Sequence, residues 1–172
     1  MFELLFPFFL IVLLIPLLYI IWRISARKYI SSGTVASAYD AWTQDKLLER
    51  LWGEHIHLGF YPLGKKNIDF RKAKVQFVHE LVKWSGLDKL PQGSRILDVG
   101  CGIGGSSRIL AEYYGFNVTG ITISSAEVKR AKDLTPRGLN CNFQVMDALD
   151  LKYEDGSFDA VWSVEALSLI HI

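Results

Sequence analysis

The chain contains few cysteines, and its charges nearly cancel. Two cysteines in 172 residues, Cys101 and Cys141, are too few for a disulfide framework, and neither lies in a cluster with metal-ligand spacing. With 19 basic and 18 acidic residues the formal net charge is +1, so the sequence has no basic footprint for nucleic acid. It contains no internal repeat or low-complexity tract. These features predict a globular domain in a reducing compartment, without a metal site or a nucleic-acid partner.

Charge is also absent from one long stretch near the N-terminus. Residues 4–22 are 19 residues without a charge, long enough to cross ~30 Å of hydrocarbon as a helix. A cleaved signal peptide would have a basic start and a shorter apolar core, and a buried core helix is rarely so uniformly apolar. Arg23, Arg27 and Lys28 follow at once, which places the following residues in the cytoplasm or its equivalent, the chloroplast stroma. We expect a transmembrane anchor over residues 1–22.

The next segments differ in composition. Residues 23–36 are basic and then small and polar, which is typical of a tether. Residues 37–62 are dense in aromatic residues and histidine. Within and just after them we expect a helix over residues 45–51 and a loop over residues 52–64, where glycine and proline interrupt the pattern.

An amphipathic helix is predicted over residues 69–84, with Gly86 as its C-terminal cap. Five apolar residues recur there every three or four positions and are expected to face the core: Phe70, Ala73, Phe77, Leu81 and Trp84.

After Pro91 strands and helices alternate at short spacing. The predicted strands are residues 95–99, 117–123, 142–146 and 158–164, and the predicted helices are residues 106–114 and 126–134. Such alternation predicts an α/β fold with a parallel sheet and right-handed crossovers.

The turn after the first of these strands is the most informative segment. Asp98 precedes a loop with four glycines, Gly100, Gly102, Gly104 and Gly105, and a helix follows. Glycine lets backbone N–H groups approach a ligand, and the helix N-terminus adds partial positive charge. The glycine spacing differs from the dinucleotide pattern, and a carboxylate beside a pyrophosphate would repel it. The turn therefore suits a nucleotide-like ligand that offers hydroxyls or an ammonium group.

Residues 97–105 resemble the glycine loop of the class I S-adenosylmethionine-dependent methyltransferases. Residues 118–124, 146–148 and 158–163 support the resemblance, which covers residues 39–166. It implies a Rossmann-like fold, S-adenosylmethionine as methyl donor and no metal. In this family the glycine loop packs against the methionine part of the donor. The acid matching Asp98 lies near the donor's amino-acid end, and the acid matching Asp147 bonds the adenine amino group.

The end of the second strand departs from the commonest family pattern. Many members place there an acid that holds the ribose hydroxyls, whereas this chain has Thr122 and Ser124. That resembles the subgroup that methylates lipids, sterols and tocopherols, in which hydroxyls and a polar residue matching Glu127 replace the acid. The alternative for Glu127 is a solvated position in the first helical turn. The residues implied to contact the donor are Asp98, Gly100, Cys101, Gly102, Gly104, Thr122, Ser124, Glu127, Asp147, Ala148 and Tyr39.

The resemblance to this subgroup extends upstream. Tyr39, Asp40 and residues 52–61 are similar to the segment that folds over the donor in tocopherol, sterol and phosphoethanolamine methyltransferases. Residues 37–90 are therefore expected to form a helical cap and residues 91–166 the donor-binding domain. The apolar N-terminus favours cyanobacterial members that methylate a prenylated benzoquinol in tocopherol and plastoquinone synthesis, with a lipophilic acceptor and a membrane as partners. A sterol or phosphoethanolamine acceptor and an inactive donor-binding membrane protein are the alternatives, and the oligomeric state is left open.

Methyl transfer to a quinol ring needs little from the protein beyond alignment, exclusion of water and one base. A ring carbon becomes nucleophilic when an ortho or para hydroxyl loses its proton. His57, His55 and Glu165 are the candidate catalytic residues; for the histidines, packing or capping in an aromatic loop is the alternative.

The C-terminal residues 167–172 do not match the family, which continues with about three more strands. By that resemblance we expect a truncated chain that carries the first half of the fold, is poorly stable and is inactive, with residues 167–172 as an unmatched tail.

Overall fold

The structure is a computed structural model that describes residues 14–21, 32–64 and 67–166. The chain divides into two compact units, residues 1–38 and 39–172. In the first unit, residues 14–21 are helical (α1), with exposed side chains. The rest of the predicted anchor and the tail at 167–172 lie outside the described residues. Within the described ranges, no helix combines the length and apolar character needed to cross a bilayer.

Two helices precede the α/β domain. Helix α2 (Ser32–Asp45) begins inside the segment expected to be a tether, and α3 (Leu47–Trp52) replaces the helix predicted over 45–51. They are separated by Lys46, whose φ of 52° lies in the left-handed region and breaks the helical path. An irregular stretch follows α3, in agreement with the predicted loop.

The predicted alternation of strands and helices is confirmed. Its elements are β1 (Arg95–Val99), α5 (Gly105–Tyr114), β2 (Asn117–Thr122), α6 (Ser125–Leu134), β3 (Cys141–Val145) and β4 (Ala160–Trp162). The four strands are parallel in the order β3-β2-β1-β4. The chain thus reverses its direction of travel across the sheet between β1 and β4, where open parallel sheets place their ligands. The turn after β1 lies at this point.

Helix α4 (Phe70–Ser85) has the predicted ends but not the predicted buried face. Asp69 caps it, accepting from the backbone N–H groups of Arg71 and Lys72 at 3.0 Å, and Gly86 ends it with a φ of 74°. Phe70 is 40% exposed and Trp84 84% exposed, so the prediction that they lie in the core is wrong.

The face of α4 that is buried consists of Ala73, Lys74, Val78 and Val82. Val78 and Val82 pack in the main core with residues of the sheet and of α5, which makes α4 a layer of the α/β domain rather than part of a cap. The apolar stripe predicted from the sequence and the stripe that contains Val78 and Val82 both satisfy the helical period. Contact with the sheet buries the second, which has the smaller aliphatic residues.

Two clusters form the described core. The larger joins α4 and α5 to the sheet and contains Val78, Val82, Leu87, Ile96, Ile109, Leu110, Ala111, Phe116, Val118 and Trp162. The smaller joins α6 to the glycine turn and β3 and contains Cys101, Val128, Ala131 and Phe143. The glycine turn therefore packs against side chains of α6 and β3.

Candidate functional site

Asp98 lies near the end of the central strand, β1, beneath the glycine turn. Its register partners are Gly120 on β2 and Trp162 on β4, and only 2% of its surface is exposed. The hydroxyl of Ser107, in α5, donates to its Oδ2 at 2.5 Å. Burial raises the pKa of Asp98 to about 6. Ser107 was not predicted, although a hydroxyl in the first turn of the helix after the loop would have been a usable signal.

Gly104 of the glycine turn has no room for a side chain. Gly104, the N-cap of α5, has a φ of 79°, and a Cβ there would lie 2.6 Å from Cζ of Phe143. Gly100 and Gly102 also have positive φ values, of 73° and 54°. The turn therefore presents backbone to a ligand, as the sequence predicts.

Glu127 is buried beside this turn at the end of β2. It is 4% exposed, and the Thr122 hydroxyl donates to its Oε2 at 2.6 Å. Burial, followed by the nearby Asp40 carboxylate, raises the pKa of Glu127. The alternative of a solvated position is wrong for this residue. Ser124 is fully buried as the N-cap of α6, where its Oγ accepts from the Glu127 N–H at 3.1 Å.

Asp40, on α2, joins the helix to the N-terminus of α6. Its Oδ1 accepts from the Ser124 hydroxyl at 2.6 Å and from the backbone N–H of Ala126 at 3.0 Å. Ser124 in turn holds the N–H of Glu127, so Asp40 positions the first turn of α6, which carries the predicted ribose-binding acid. Asp40 is part of the segment that resembles the family, but its positioning role depends on Ser124, which is 84 positions away in the sequence.

We expect Asp40→Ala to destabilise the protein by about 0.5–2 kcal/mol, as for the loss of a helix cap, and to weaken donor binding because Glu127 loses its support. Urea unfolding and titration calorimetry with S-adenosylmethionine measure the two effects. Asp69→Ala is the matched control, since it removes the cap of α4 and should lower stability alone. Unchanged donor affinity in Asp40→Ala would refute the positioning role.

Tyr39 and Glu127 share a cleft of about 360 Å³, part of which is open solvent. Its lining is Tyr39, Trp42, Thr43, Leu48, Glu49, Gly53, Ile56, Ile103 and Glu127. The rings of Tyr39 and Trp42 meet edge to face with their centroids 5.3 Å apart. Burial, and then the Glu127 carboxylate, raise the pKa of Tyr39. The cleft thus combines aromatic rings with an acid, a combination that suits a cation.

The other residues predicted to contact the donor occupy different surroundings. Asp147 follows β3 and is exposed, with its Oδ1 accepting from the Leu149 N–H at 2.9 Å; Ala148 beside it is half-buried. Cys101 is buried in the smaller core cluster, and burial raises the pKa of its thiol. Its thiol therefore stays protonated, and its observed role is packing.

Residues 39–64, here called the cap, are joined to the donor domain by two Arg–Glu pairs. Arg108 of α5 donates to Glu54 Oε2 at 2.5 Å and to the Ile103 carbonyl of the glycine turn at 2.8 Å. Arg130 of α6 donates to both carboxylate oxygens of Glu49, at 2.5 and 2.8 Å. The carboxylates of Glu54 and Glu49 are thus paired with arginines of α5 and α6.

Lys74 provides a further link between the cap and the domain. It is buried on α4, and its Nζ donates to the carbonyls of His55 at 2.6 Å and Trp52 at 3.2 Å. A Cβ added to Gly105 would lie 2.6 Å from the Glu54 carbonyl and 2.8 Å from His55 Cε1, so the cap lies directly on the glycine turn. The hydrogen bonds that Lys74 makes to the cap were not predicted from the sequence.

The structure brings the three candidate bases together. The Nδ1 of His57 lies 2.7 Å from the Leu58 carbonyl, and its Nε2 lies 3.1 Å from His55 Nδ1. The backbone N–H of Leu58 donates to Glu165 Oε1 at 3.1 Å, across 107 positions. Burial lowers the pKa of His55 to about 3, and that of His57 is lowered by the same cause. Both rings are therefore neutral at pH 7.

Their tautomers follow from the partners. A carbonyl only accepts, so His57 carries its proton on Nδ1, and its Nε2 accepts from His55 Nδ1. His55 Nε2 is then the nitrogen without a proton at the end of the pair. Packing accounts for part of the surroundings, since the His57 ring lies 5.3 Å from that of Phe77.

Comparisons with known proteins agree with this fold. The family described as "Methyltransferase domain" matches residues 96–172. The 2-methyl-6-phytyl-1,4-hydroquinone methyltransferase of Synechocystis sp. is 58% identical over 149 residues, which are 85% of this chain and 46% of that protein. The chloroplastic tocopherol O-methyltransferase of Arabidopsis thaliana is 39% identical over 130 residues, covering 70% of this chain and 37% of that protein.

A solved structure of phosphoethanolamine N-methyltransferase 2 from Haemonchus contortus, in complex with phosphomonomethylethanolamine and S-adenosylhomocysteine, also matches. It is 26% identical with a TM-score of 0.55, covering 72% of this chain and 26% of that one. The chain spans less than half the length of these curated relatives. The strand order, the turn after β1 and the identity to known members agree: residues 96–172 match the methyltransferase-domain family, and the chain is similar to class I S-adenosylmethionine-dependent methyltransferases.

Proposed function

We propose that the protein transfers a methyl group from S-adenosylmethionine to a ring carbon of a prenylated benzoquinol. The observation that carries the reaction is the pair of buried carboxylates beside the glycine turn, Asp98 near the end of β1 and Glu127 in the first turn of α6. The acceptor is supported by the 58% identity to an enzyme named for a phytylated hydroquinone. That identity extends over 85% of this chain.

The residues present fit this donor. When bound, S-adenosylmethionine supplies an electrophilic methyl group on a positively charged sulfur. Asp98 would hold the amino-acid end, Glu127 the ribose hydroxyls and Asp147 the adenine amino group. Glu127 and the Tyr39 ring lie on one cleft, where both favour a nearby positive charge.

In this proposal the histidine pair accepts the proton that the quinol hydroxyl loses. His55 Nε2 takes the proton while the Nδ1 proton of His55 passes along the existing hydrogen bond to His57 Nε2, so the positive charge lies on His57 and not on His55. Burial lowers the pKa of His57, and the Leu58 carbonyl and then the Glu165 carboxylate offset part of that lowering by favouring the charged ring. Loss of the hydroxyl proton makes the ring carbon nucleophilic, while the cap excludes water. As the methyl group leaves sulfur for this carbon, the carbon gives up its own proton, and the histidine pair returns a proton to the oxygen.

Transfer of a labelled methyl group to a panel of acceptors tests this function. With labelled donor and a prenylated benzoquinol, a sterol and phosphoethanolamine, we expect label on the benzoquinol alone. Label on phosphoethanolamine instead would support a second candidate function, which the structural likeness to the Haemonchus contortus enzyme favours. Donor binding without label on any acceptor would indicate an inactive donor-binding protein and refute transfer.

We expect His55→Gln to lower kcat on the benzoquinol by roughly 10²-fold or more, with little change in donor affinity, since a general base contributes about that factor. His79→Gln is the matched control. His79 also has a ring hydrogen bond, to the Tyr114 hydroxyl at 2.8 Å, but belongs to α4 rather than to the pair. Equal kcat values for the two variants would assign His55 to packing.

We further propose that the protein is attached to a membrane by residues 1–22, with the domain in the cytoplasm or chloroplast stroma. The uncharged stretch at residues 4–22 and the basic residues after it support this proposal. Sedimentation of the chain with membranes at high salt, and its release by detergent alone, would test it. Release by salt would refute it.

A further inference from the structure

The outer surface of the cap is unusually apolar. Its exposed large side chains are Leu47, Leu51, Trp52, Ile56, Leu58, Phe60, Tyr61 and Leu63. Leu63 is fully exposed and Leu58 73% exposed, so these side chains do not contribute to the core. An exposed apolar surface of this extent in a small domain indicates an interaction site.

Helix α3 sorts its side chains between two faces. Leu47 and Leu51 project outward with Arg50, whereas Leu48 is half-buried. Glu49 is directed at Arg130 of the donor domain. Apolar and basic groups therefore face out and the acid faces in, the pattern of a helix that lies on an anionic lipid surface.

The same surface continues into the start of α4. Arg71 donates to the Arg50 carbonyl at 2.6 Å, and its guanidinium lies 5.3 Å from the Phe70 ring. The backbone N–H of Phe60 donates to the Ala73 carbonyl at 2.8 Å. We call the outer side chains of residues 46–52, 58–63 and 70–72 the docking face.

The charges of the docking face are predominantly basic. Lys46, Arg50, Arg71 and Lys72 are exposed on it. The cap acids at positions 49 and 54 are instead paired with arginines of the donor domain. Such a surface complements negatively charged lipid headgroups, where each nearby Lys or Arg adds to binding.

We propose that the docking face lies on the headgroup layer of an anionic bilayer, with its leucines and aromatic rings inserted among the headgroups. This interaction is separate from any span formed by residues 1–22. Docking also orients the domain with its donor cleft towards the bilayer. Ile56, between two segments of the docking face, is exposed on the cap and also lines that cleft. The consequence that a lipophilic acceptor reaches the cleft directly from the bilayer rests on the proposed function; the docking does not.

A fluorescent label at two sites of the full chain separates docking from simple tethering. Leu63→Cys places an environment-sensitive dye on the docking face, and Glu154→Cys places it on an exposed loop elsewhere. The wild-type chain measures background labelling, since Cys101 is buried and Cys141 half-buried. The vesicles contain phosphatidylcholine with or without phosphatidylglycerol and carry spin-labelled lipid as quencher.

With anionic vesicles we expect several-fold quenching at Leu63→Cys and little at Glu154→Cys. Vesicle binding with both sites unquenched would mean tethering by the N-terminus alone and would overturn the proposal, as would equal quenching at both sites. A concentration-dependent blue shift without vesicles would assign the face to a second copy of the chain, which also overturns it.

Charge reversal tests the lipid preference. Arg50→Glu with Lys72→Glu should abolish the extra quenching caused by phosphatidylglycerol. Lys129→Glu with Lys132→Glu, on the exposed side of α6, makes the same change in net charge and should not. Equal loss in both would indicate attraction by net charge and refute a defined face. Neither experiment includes a methyl acceptor, so failure here is distinct from failure of the proposed reaction.

Discussion

Asp98→Asn is expected to unfold at a higher urea concentration than the wild-type chain above pH 6, and to bind S-adenosylmethionine about tenfold to hundredfold more weakly. The Asp98 carboxyl is 2% exposed, and burial raises its pKa to about 6, so ionising it in the folded state costs free energy. Asparagine removes the charge and can still accept from the Ser107 hydroxyl. The gain in unfolding free energy should be on the order of 1–3 kcal/mol.

The pH dependence has a definite sign. Because the folded pKa is raised, the advantage of Asn is absent below about pH 4, where Asp98 is protonated in both states, and grows as pH rises through 6. Donor binding by the wild-type chain should strengthen over the same range, since the ionised acid attracts an ammonium group.

Urea titrations and calorimetry at pH 4, 6 and 8 would measure both effects. Asp147→Ala is the comparison: it is exposed, so donor affinity should fall by ~1–3 kcal/mol without a gain in stability. Donor affinity that is unchanged in both variants would refute the two assigned roles. A stability gain in Asp98→Asn that does not depend on pH would refute the electrostatic explanation.

Gly104→Ala is expected to destabilise the chain by about 2–5 kcal/mol and to abolish donor binding. Two costs combine: a non-glycine residue in the left-handed region costs ~1–2 kcal/mol, and overpacking costs ~1–3 kcal/mol more. The Cβ would lie 2.6 Å from Phe143 Cζ and 2.9 Å from Arg108 Nη1. Moving the Arg108 guanidinium would also disturb its bond to the Ile103 carbonyl, within the turn itself.

Gly138→Ala isolates the backbone cost. Gly138 has a φ of 87°, similar to that of Gly104, but a Cβ there would have no neighbour within 4 Å. We expect it to lose only ~1–2 kcal/mol and to bind donor normally. If the two variants lose the same unfolding free energy, the contact with Phe143 has no role in holding the turn.

Local chemistry made much of the fold predictable. Asp69 and Gly86 mark the ends of α4 in the sequence, because a helix end needs a side-chain acceptor or a residue that tolerates positive φ. The alternation after Pro91 predicted the parallel sheet, and the glycines after Asp98 predicted a turn that presents backbone. Each of these features depends on residues within about ten positions of one another.

Contacts between distant residues were not predictable in the same way. The period of α4 allows two apolar stripes, and packing against the sheet made Val78 and Val82 the buried one. Glu127 could have been solvated, but Thr122 and the helix end held by Asp40 bury it. In the same way, the direction of the Glu54 and Glu49 carboxylates depends on the arginines of α5 and α6 with which they are paired.

The amino-acid sequence determined the class of fold, the place of the ligand turn and the buried acid beneath it, because periodicity and backbone freedom are properties of neighbouring residues. The tertiary structure decided that the cap lies on that turn, that His55 and His57 are hydrogen-bonded to each other, and that Glu165 binds the backbone beside them. Those outcomes depend on which charged and polar groups meet across the fold, since a buried polar group must find a partner wherever the chain brings one.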